Sequence, residues 1–138
     1  SGKTGYVLTL QAREQHIRRE KASSNISSNQ ALCALAVGVY LSAMGPEGLK
    51  NAAVQCTSKA HYMSARLQDA GCRLENEREF FHEFVTVSET PAEKILEALE
   101  EEGILGGYPL DEHRILWCCT EMNSKEEIDQ AAAIIKGV

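Results

Sequence analysis

The residues best suited to chemistry in this 138-residue sequence lie near its beginning. Four basic side chains are crowded there, namely Arg13, Arg18, Arg19 and Lys21. A serine- and asparagine-rich loop, residues 23–29, follows them and leads into an apolar helix. Free N–H groups and the dipole at a helix start favour an anion, so the pattern is typical of a phosphate or carboxylate site. A capped helix beside a solvated basic surface explains the same residues, and from spacing alone it is the favoured interpretation.

No other side chains form a catalytic or metal-binding set by spacing. The histidines are scattered without paired spacing, at His16, His61, His82 and His113. No metal site is therefore expected. Five cysteines without C-x-x-C spacing indicate free thiols in a reducing, cytoplasmic compartment. Gly106-Gly107 is too short for a nucleotide-binding loop.

Charge and hydropathy narrow the classes of partner. The net charge of −6 disfavours nucleic-acid binding. The longest apolar run, Ala31 to Met44, stops at Gly45-Pro46. It is shorter than the ~18–20 residues that span a bilayer, so no membrane association is expected.

The residue pattern in the first half of the chain predicts a strand at Tyr6 to Leu10 and two long helices. The first helix, Gln30 to Met44, is apolar almost all round and is expected to be buried on most sides. Gly45-Pro46 separates it from the second helix, Glu47 to Ala70, which ends at Gly71. The second helix has one apolar stripe, formed by Leu49, Ala52, Ala53, Cys56, Ala60, Met63 and Leu67.

The second half of the chain changes to short alternating segments. Strands are predicted at Cys72 to Leu74, Phe80 to Val87 and Arg114 to Thr120, with Phe81, Val85 and Val87 on one face of the second. Capping boxes at Thr90 and Ser124 open two helices, starting near Pro91 and Lys125. Residues 104–110 form a glycine-containing turn. This order predicts an α+β fold, with an antiparallel sheet and helices on one face.

Several motifs resemble one enzyme family. Residues 13–22 (R-E-Q-H-I-R-R-E-K-A), followed by Ser24-Asn25-Ile26 and by N-Q-A-L at 29–32, resemble glycine dehydrogenase (decarboxylating), the P-protein of the glycine cleavage system. The segments L-G-G-Y-P-L at 105–110 and Glu127-Ile128-Asp129 resemble the subunit 1 branch of its two-chain form. The resemblance covers essentially the whole chain.

The resemblance implies the C-terminal part of an aspartate-aminotransferase-like (fold type I) pyridoxal-phosphate enzyme. Residues 1–30 then close the large domain, residues 31–70 are bridging helices, and residues 71–138 form the small α+β domain. The expected location is the cytoplasm. The expected assembly is a heterotetramer with subunit 2.

The family's activity is implied in the same way. The complex decarboxylates glycine bound to pyridoxal phosphate and transfers the aminomethyl group to the lipoyl arm of the H-protein. The cofactor is held by a lysine in a His-Lys motif, and no lysine of this chain follows a histidine. The resemblance thus implies that the lysine is on subunit 2, and that this chain alone is inactive and carries no catalytic residue. Candidates for contact with the partner's cofactor are His16, Arg18, Arg19, Ser24 and Asn25.

Two alternatives remain: an inert remnant with a structural role only, and a free-standing α+β binding module with an anion site at a helix start. Such a module is expected to close its own core. A fragment of a larger enzyme is instead expected to leave the helix from Gln30 to Met44 uncovered and to self-associate through it.

Overall fold

The computed structural model describes residues 29–138. Backbone contacts divide the chain into two units, Ser1–Tyr40 and Leu41–Val138. The boundary falls inside the first described helix, α1, which spans Ala31–Asp69. The predicted strand at Tyr6 to Leu10 and the basic loop lie outside the described residues. The predicted division into domains 1–30, 31–70 and 71–138 stays a prediction.

Helix α1 contains the break that the sequence predicts. Gly45 has φ 62° and ψ 178°, a non-helical conformation in the left-handed φ range that favours glycine. Pro46 follows it, and a proline disfavours the helical conformation in the residue before it. The two predicted helices are therefore the two segments of α1, joined at a kink.

The C-terminal segment of α1 belongs to the second unit and carries part of its core. Its buried residues are Cys56, Ala60, Met63, Ser64 and Leu67. The predicted stripe is thus confirmed from Cys56 onward, whereas Leu49 is 38% exposed. Gly71, at φ 96°, ends the helix as predicted, and the Cys72 N–H donates to the Leu67 carbonyl at 2.9 Å.

The apolar residues at the start of α1 are exposed. Leu32, Leu35 and Val39 are 76%, 63% and 62% exposed. The expectation that this segment is buried on most sides is therefore wrong for the chain as it stands. The expectation that a fragment leaves this helix uncovered agrees with the exposure.

Part of α1 also meets the length and composition requirement for a membrane span. One 18-residue window qualifies, and none of it is buried. By this criterion, the expectation that no apolar run is long enough to span a bilayer is wrong. That expectation took Gly45-Pro46 as the end of the apolar run, whereas the helix continues past it. Core helices of water-soluble proteins satisfy the same criterion, so it assigns no membrane role.

After α1 the second unit forms a four-stranded antiparallel sheet. Its strands are β1 (Arg73–Leu74), β2 (Glu83–Val87), β3 (Tyr108–Pro109) and β4 (Arg114–Cys118). The strand order is β1-β2-β4-β3. The three predicted strands are present but shorter. β3 falls in the segment predicted as a turn, because a two-residue strand is too short to show a period of two.

One face of the sheet is covered. Phe84 and Thr86 of β2 lie opposite Trp117 and Ile115 of β4, and all four are buried. Val85 and Val87 share one face as predicted, and it is the opposite, partly exposed face; the prediction is wrong for Phe81, which precedes the strand. Both faces of β2 carry apolar residues, so alternation alone did not identify the buried one.

Helices α2 (Ala92–Glu101) and α3 (Lys125–Lys136) complete the fold. Ser124 and Glu127 form the predicted capping box, with bonds of 3.1 and 2.7 Å. The box predicted at Thr90 is wrong, because the cap position is Pro91, which has no side-chain acceptor. The helices share one core with the sheet and α1, made of Ala60, Met63, Leu67, Cys72, Phe84, Ala92, Ile95, Leu99, Ile115, Trp117, Cys119, Ile128, Ala131 and Ile135. The predicted α+β class is confirmed.

Candidate functional site

The described structure begins just after the site that the sequence predicts. Its candidate residues, His16, Arg18, Arg19, Ser24 and Asn25, lie outside the described residues, so their roles stay predictions. The structure describes the helix start that follows them. Asn29 Oδ1 accepts the N–H of Ala31 at 2.7 Å, which caps α1. The first turn of α1 contains no acidic residue to offset its positive end.

The second unit contains a cleft. It is lined by the residues before β3, by the end of β4 and by the first turns of α3. Its volume is about 340 Å³. Most of its lining is apolar, and two of its polar side chains are already engaged in local structure. Asn123 Oδ1 accepts the Thr120 N–H, and Glu127 caps α3. The cleft therefore resembles an apolar depression more than a set of catalytic groups.

Gly106 and Gly107 form one wall of this cleft, and a side chain at either position would meet neighbouring atoms. A Cβ at Gly106 would lie 2.6 Å from Leu96 Cδ2. At Gly107 it would collide with the Leu116 carbonyl and lie 2.6 Å from Ile115 Cγ2. The glycine pair thus lets the chain pass close over β4, which is a packing role.

A polar cluster centred on Asp129 joins α1 to α3. Tyr62 OH and Arg66 Nε donate to Asp129 Oδ1 at 2.7 and 2.9 Å, and Lys125 Nζ donates to Oδ2 at 2.7 Å. Hydrogen bonds from Lys125, Tyr62 and Arg66 lower the pKa of Asp129 from 3.8 to about 2. The same pairing raises the pKa of Lys125. The cluster holds Asp129 ionised, which suits an anchor between helices.

The Asp129 cluster gives a pH-dependent prediction. Because the folded pKa is lowered, its stabilisation is present above pH 3.8 and is lost as the pH falls through about 2. We expect Asp129→Asn to lower the melting temperature at neutral pH, with a gap that closes in acid. Asp69→Asn, at a carboxylate whose side chain is 70% exposed, is the matched control with a smaller effect. Thermal unfolding from pH 7 to pH 2 measures both, and a gap independent of pH would contradict the assignment.

The Cys56 thiol forms a hydrogen bond with a carboxylate. Its Sγ donates to Glu121 Oε2 at 3.1 Å, and Lys59 Nζ donates to the Glu121 carbonyl. The hydrogen bond to Glu121, followed by burial, raises the pKa of the Cys56 thiol. The same bond lowers the pKa of Glu121. A thiol held protonated is a poor nucleophile, so Cys56 is a packing residue.

One juxtaposition could not be seen from sequence spacing. A ring nitrogen of His82, a Glu83 carboxylate oxygen and Cys118 Sγ all lie within 4.8 Å of one another. Glu83 and Cys118 are directly opposite in the β2–β4 register. His82 Nδ1 is buried and has no hydrogen-bond partner among residues 29–138. Partial desolvation of the sulfur, followed by repulsion from Glu83, raises the pKa of the Cys118 thiol, although Cys118 is exposed. His82 and Glu83 are neighbours in the sequence, but Cys118 is distant from them, and only strand pairing brings it to them.

Residues 1–135 match the protein family described as glycine cleavage system P-protein. The chain belongs to this family. A probable glycine dehydrogenase (decarboxylating) subunit 1 from Desulfitobacterium hafniense is 52% identical, over 96% of this chain and 31% of the relative. The protein of the same name from Chlorobium limicola is 48% identical, over 93% of this chain and 30% of the relative.

A solved P-protein has a similar structure. A crystal structure of glycine decarboxylase (P-protein) of the glycine cleavage system, in inhibitor-bound form, matches with a TM-score of 0.75 and 38% identity. The match covers 95% of this chain and 31% of that chain. This chain therefore spans about a third of the length of the P-proteins it matches. The family assignment and the α+β fold expected from the sequence are both confirmed.

The lysines among the described residues are not suited to forming an imine. Lys50, Lys94 and Lys136 are exposed. Lys59 donates to the Glu121 carbonyl, and Lys125 is paired with Asp129, with its side chain 66% exposed. A lysine that forms an imine must lose its proton, and pairing with a carboxylate opposes that loss.

Proposed function

We propose that this chain is a structural and interface part of a glycine cleavage system P-protein of the two-chain type. The complete enzyme decarboxylates glycine with pyridoxal phosphate and passes the aminomethyl group to the lipoyl arm of the H-protein. The lysine that holds the cofactor is on the partner chain, subunit 2, in a heterotetramer. The family match over residues 1–135 is the observation that carries the proposal.

Two further features support a place within a larger aminotransferase-like enzyme. The chain spans 30% or 31% of the length of the relatives described above. Leu32, Leu35 and Val39, spaced three and four residues apart, place an exposed apolar stripe on one side of α1. A free-standing binding module is expected to bury such a stripe, so the exposure disfavours that alternative. Cytoplasmic location remains part of the proposal, supported by the free thiols.

In this proposal the described residues provide support and leave the chemistry to other parts of the enzyme. The Asp129 cluster fixes α1 against α3, and the glycine pair holds the residues before β3 against β4. Both contacts lie within the second unit. Together they hold the helices and strands of this unit against one another.

The test is a comparison of the isolated chain with the complete enzyme. The exchange of labelled bicarbonate into glycine is measured in the presence of pyridoxal phosphate and lipoylated H-protein. We expect the isolated chain to show neither exchange nor imine absorbance, and the complete subunit with its lysine-bearing partner to show both. Lysine-dependent turnover by the isolated chain would contradict the proposal. So would an inactive complex in which both subunits are folded and associated.

The basic loop gives a second prediction for the complete enzyme. We expect Arg18→Ala or Arg19→Ala to lower the exchange rate by roughly tenfold or more, because a charged hydrogen bond contributes ~1.5–3 kcal/mol. The stability of the chain should change by no more than ~0.5 kcal/mol, because a charged, hydroxyl-rich segment contributes little apolar burial. Arg78→Ala, at an exposed arginine of the second unit, is the control. Full activity with a badly destabilised chain would instead identify the loop as a structural clamp.

A further inference from the structure

The end of β2 and β4 brings together three side chains with the donor atoms of a zinc site. They are the imidazole of His82, the carboxylate of Glu83 and the thiol of Cys118. Nitrogen and sulfur donors favour zinc over magnesium or calcium, which prefer oxygen ligands. The set is therefore chemically selective, unlike a group of surface carboxylates.

The backbone holds the three side chains at the same place. Glu83 and Cys118 are register partners, and the Cys119 N–H donates to the His82 carbonyl at 2.9 Å. Strand alternation would send neighbours 82 and 83 to opposite faces, but His82 lies in a bend before β2. The bend frees its ring from the alternation and allows it to lie beside Glu83.

The distances are compatible with zinc after a small adjustment. Zinc bonds of about 2.0–2.3 Å place tetrahedral ligand atoms roughly 3.3–3.8 Å apart. The three donor atoms lie within 4.8 Å of one another, so a contraction of about 1 Å is required. Glu83 is exposed and has a flexible side chain, so it can supply most of that movement.

The cluster also contains a buried polar atom without a partner. His82 Nδ1 is buried without a hydrogen-bond partner in the described part of the chain. Such a nitrogen is costly unless it binds something. Cys118 is exposed, so a cation can reach its sulfur. A divalent cation balances a thiolate and a carboxylate together.

We propose that His82, Glu83 and Cys118 form a zinc-binding site. On binding, the Cys118 thiol releases its proton to solvent and its sulfur binds the metal, with no change of oxidation state. Glu83 and Cys118 also line the 340 Å³ cleft, so the remaining coordination position is open to water or a small ligand there. The site is independent of the proposed glycine chemistry, and it departs from the expectation of no metal drawn from sequence spacing.

The first measurement is calorimetric titration of the 138-residue chain with zinc. We expect one ion per chain and release of about one proton from the thiol, measured by comparing buffers. His82→Gln, Glu83→Gln and Cys118→Ser should each lower the affinity about tenfold or more, since even residues that only support ligands have effects of 10–100-fold. Exposed His113→Gln and Cys33→Ser are matched controls and should bind as the parent does.

The second measurement identifies the sulfur ligand. Cobalt(II) in place of zinc should give a thiolate charge-transfer absorbance that Cys118→Ser abolishes and Cys33→Ser retains. Excess calcium should not displace zinc, because calcium prefers oxygen ligands. The proposal is overturned by parent-like affinity in Cys118→Ser, by equal losses in the controls, or by displacement with calcium. If Cys118→Ser does not fold, as judged by circular dichroism, Glu83→Gln at an exposed position decides the same question.

Discussion

Leu67→Ala is expected to destabilise the chain by ~2–5 kcal/mol, the usual cost of removing a buried leucine side chain. Leu67 is fully buried, with 0% exposure, in the core shared by α1 and the sheet. The loss combines the transfer of the removed carbon atoms to water with the cavity that rigid neighbours leave behind. Urea unfolding measures the change as a shift of the midpoint at constant slope.

Leu35→Ala is the matched control, since it makes the same chemical change in the same helix. Leu35 is 63% exposed, and its replacement should stay within ~0.5 kcal/mol. In the complete enzyme we expect Leu35→Asp to impair assembly, because there the apolar stripe of α1 is covered by other parts of the enzyme. Equal destabilisation by Leu67→Ala and Leu35→Ala in the isolated chain would show that the start of α1 is already packed.

Gly107→Ala is expected to cost ~1–3 kcal/mol or more, because the added methyl group overpacks a rigid site. Its Cβ would meet the Leu116 carbonyl, Ile115 Cγ2 and, at 3.1 Å, Trp117 Cε3. These atoms belong to β4 and to core side chains, which cannot move away without loss of other contacts. Thermal or urea unfolding measures the cost directly.

Gly38→Ala is the control for this substitution. A Cβ at Gly38 meets nothing within 4 Å, and an alanine in a helix interior is favoured over glycine by roughly 0.5–1 kcal/mol. It should therefore leave stability unchanged or raise it. If Gly107→Ala has the same stability as the parent, β3 has moved away from β4. The Leu110 N–H, which donates to the Arg114 carbonyl at 2.8 Å, would then exchange its hydrogen faster.

The sequence alone determined the elements whose signals are local. Gly45-Pro46 marks the kink and Gly71 the end of α1, because each conformation depends on one or two residues. The capping box at Ser124 was predictable because its partners are three residues apart. The family was recognisable for a similar reason, since its motifs are continuous stretches of chain.

Only the tertiary structure decided the features that depend on distant residues. The buried face of β2 is fixed by β4 and the helices, so Phe84 and Thr86 are inside although Val85 and Val87 are more apolar than Thr86. Trp117 Nε1 donates to Thr86 Oγ1 at 2.7 Å, which makes burial of that threonine tolerable.

The same distinction explains the two sites. The candidate interface at residues 16–25 came from neighbouring charges and a family motif, which a sequence displays directly. The His82, Glu83 and Cys118 cluster depends on strand register, which places residues 83 and 118 opposite each other. The exposure of the first turns of α1 was likewise decided in three dimensions: an apolar helix is buried only when other parts of the protein cover it, and sequence periodicity does not specify them.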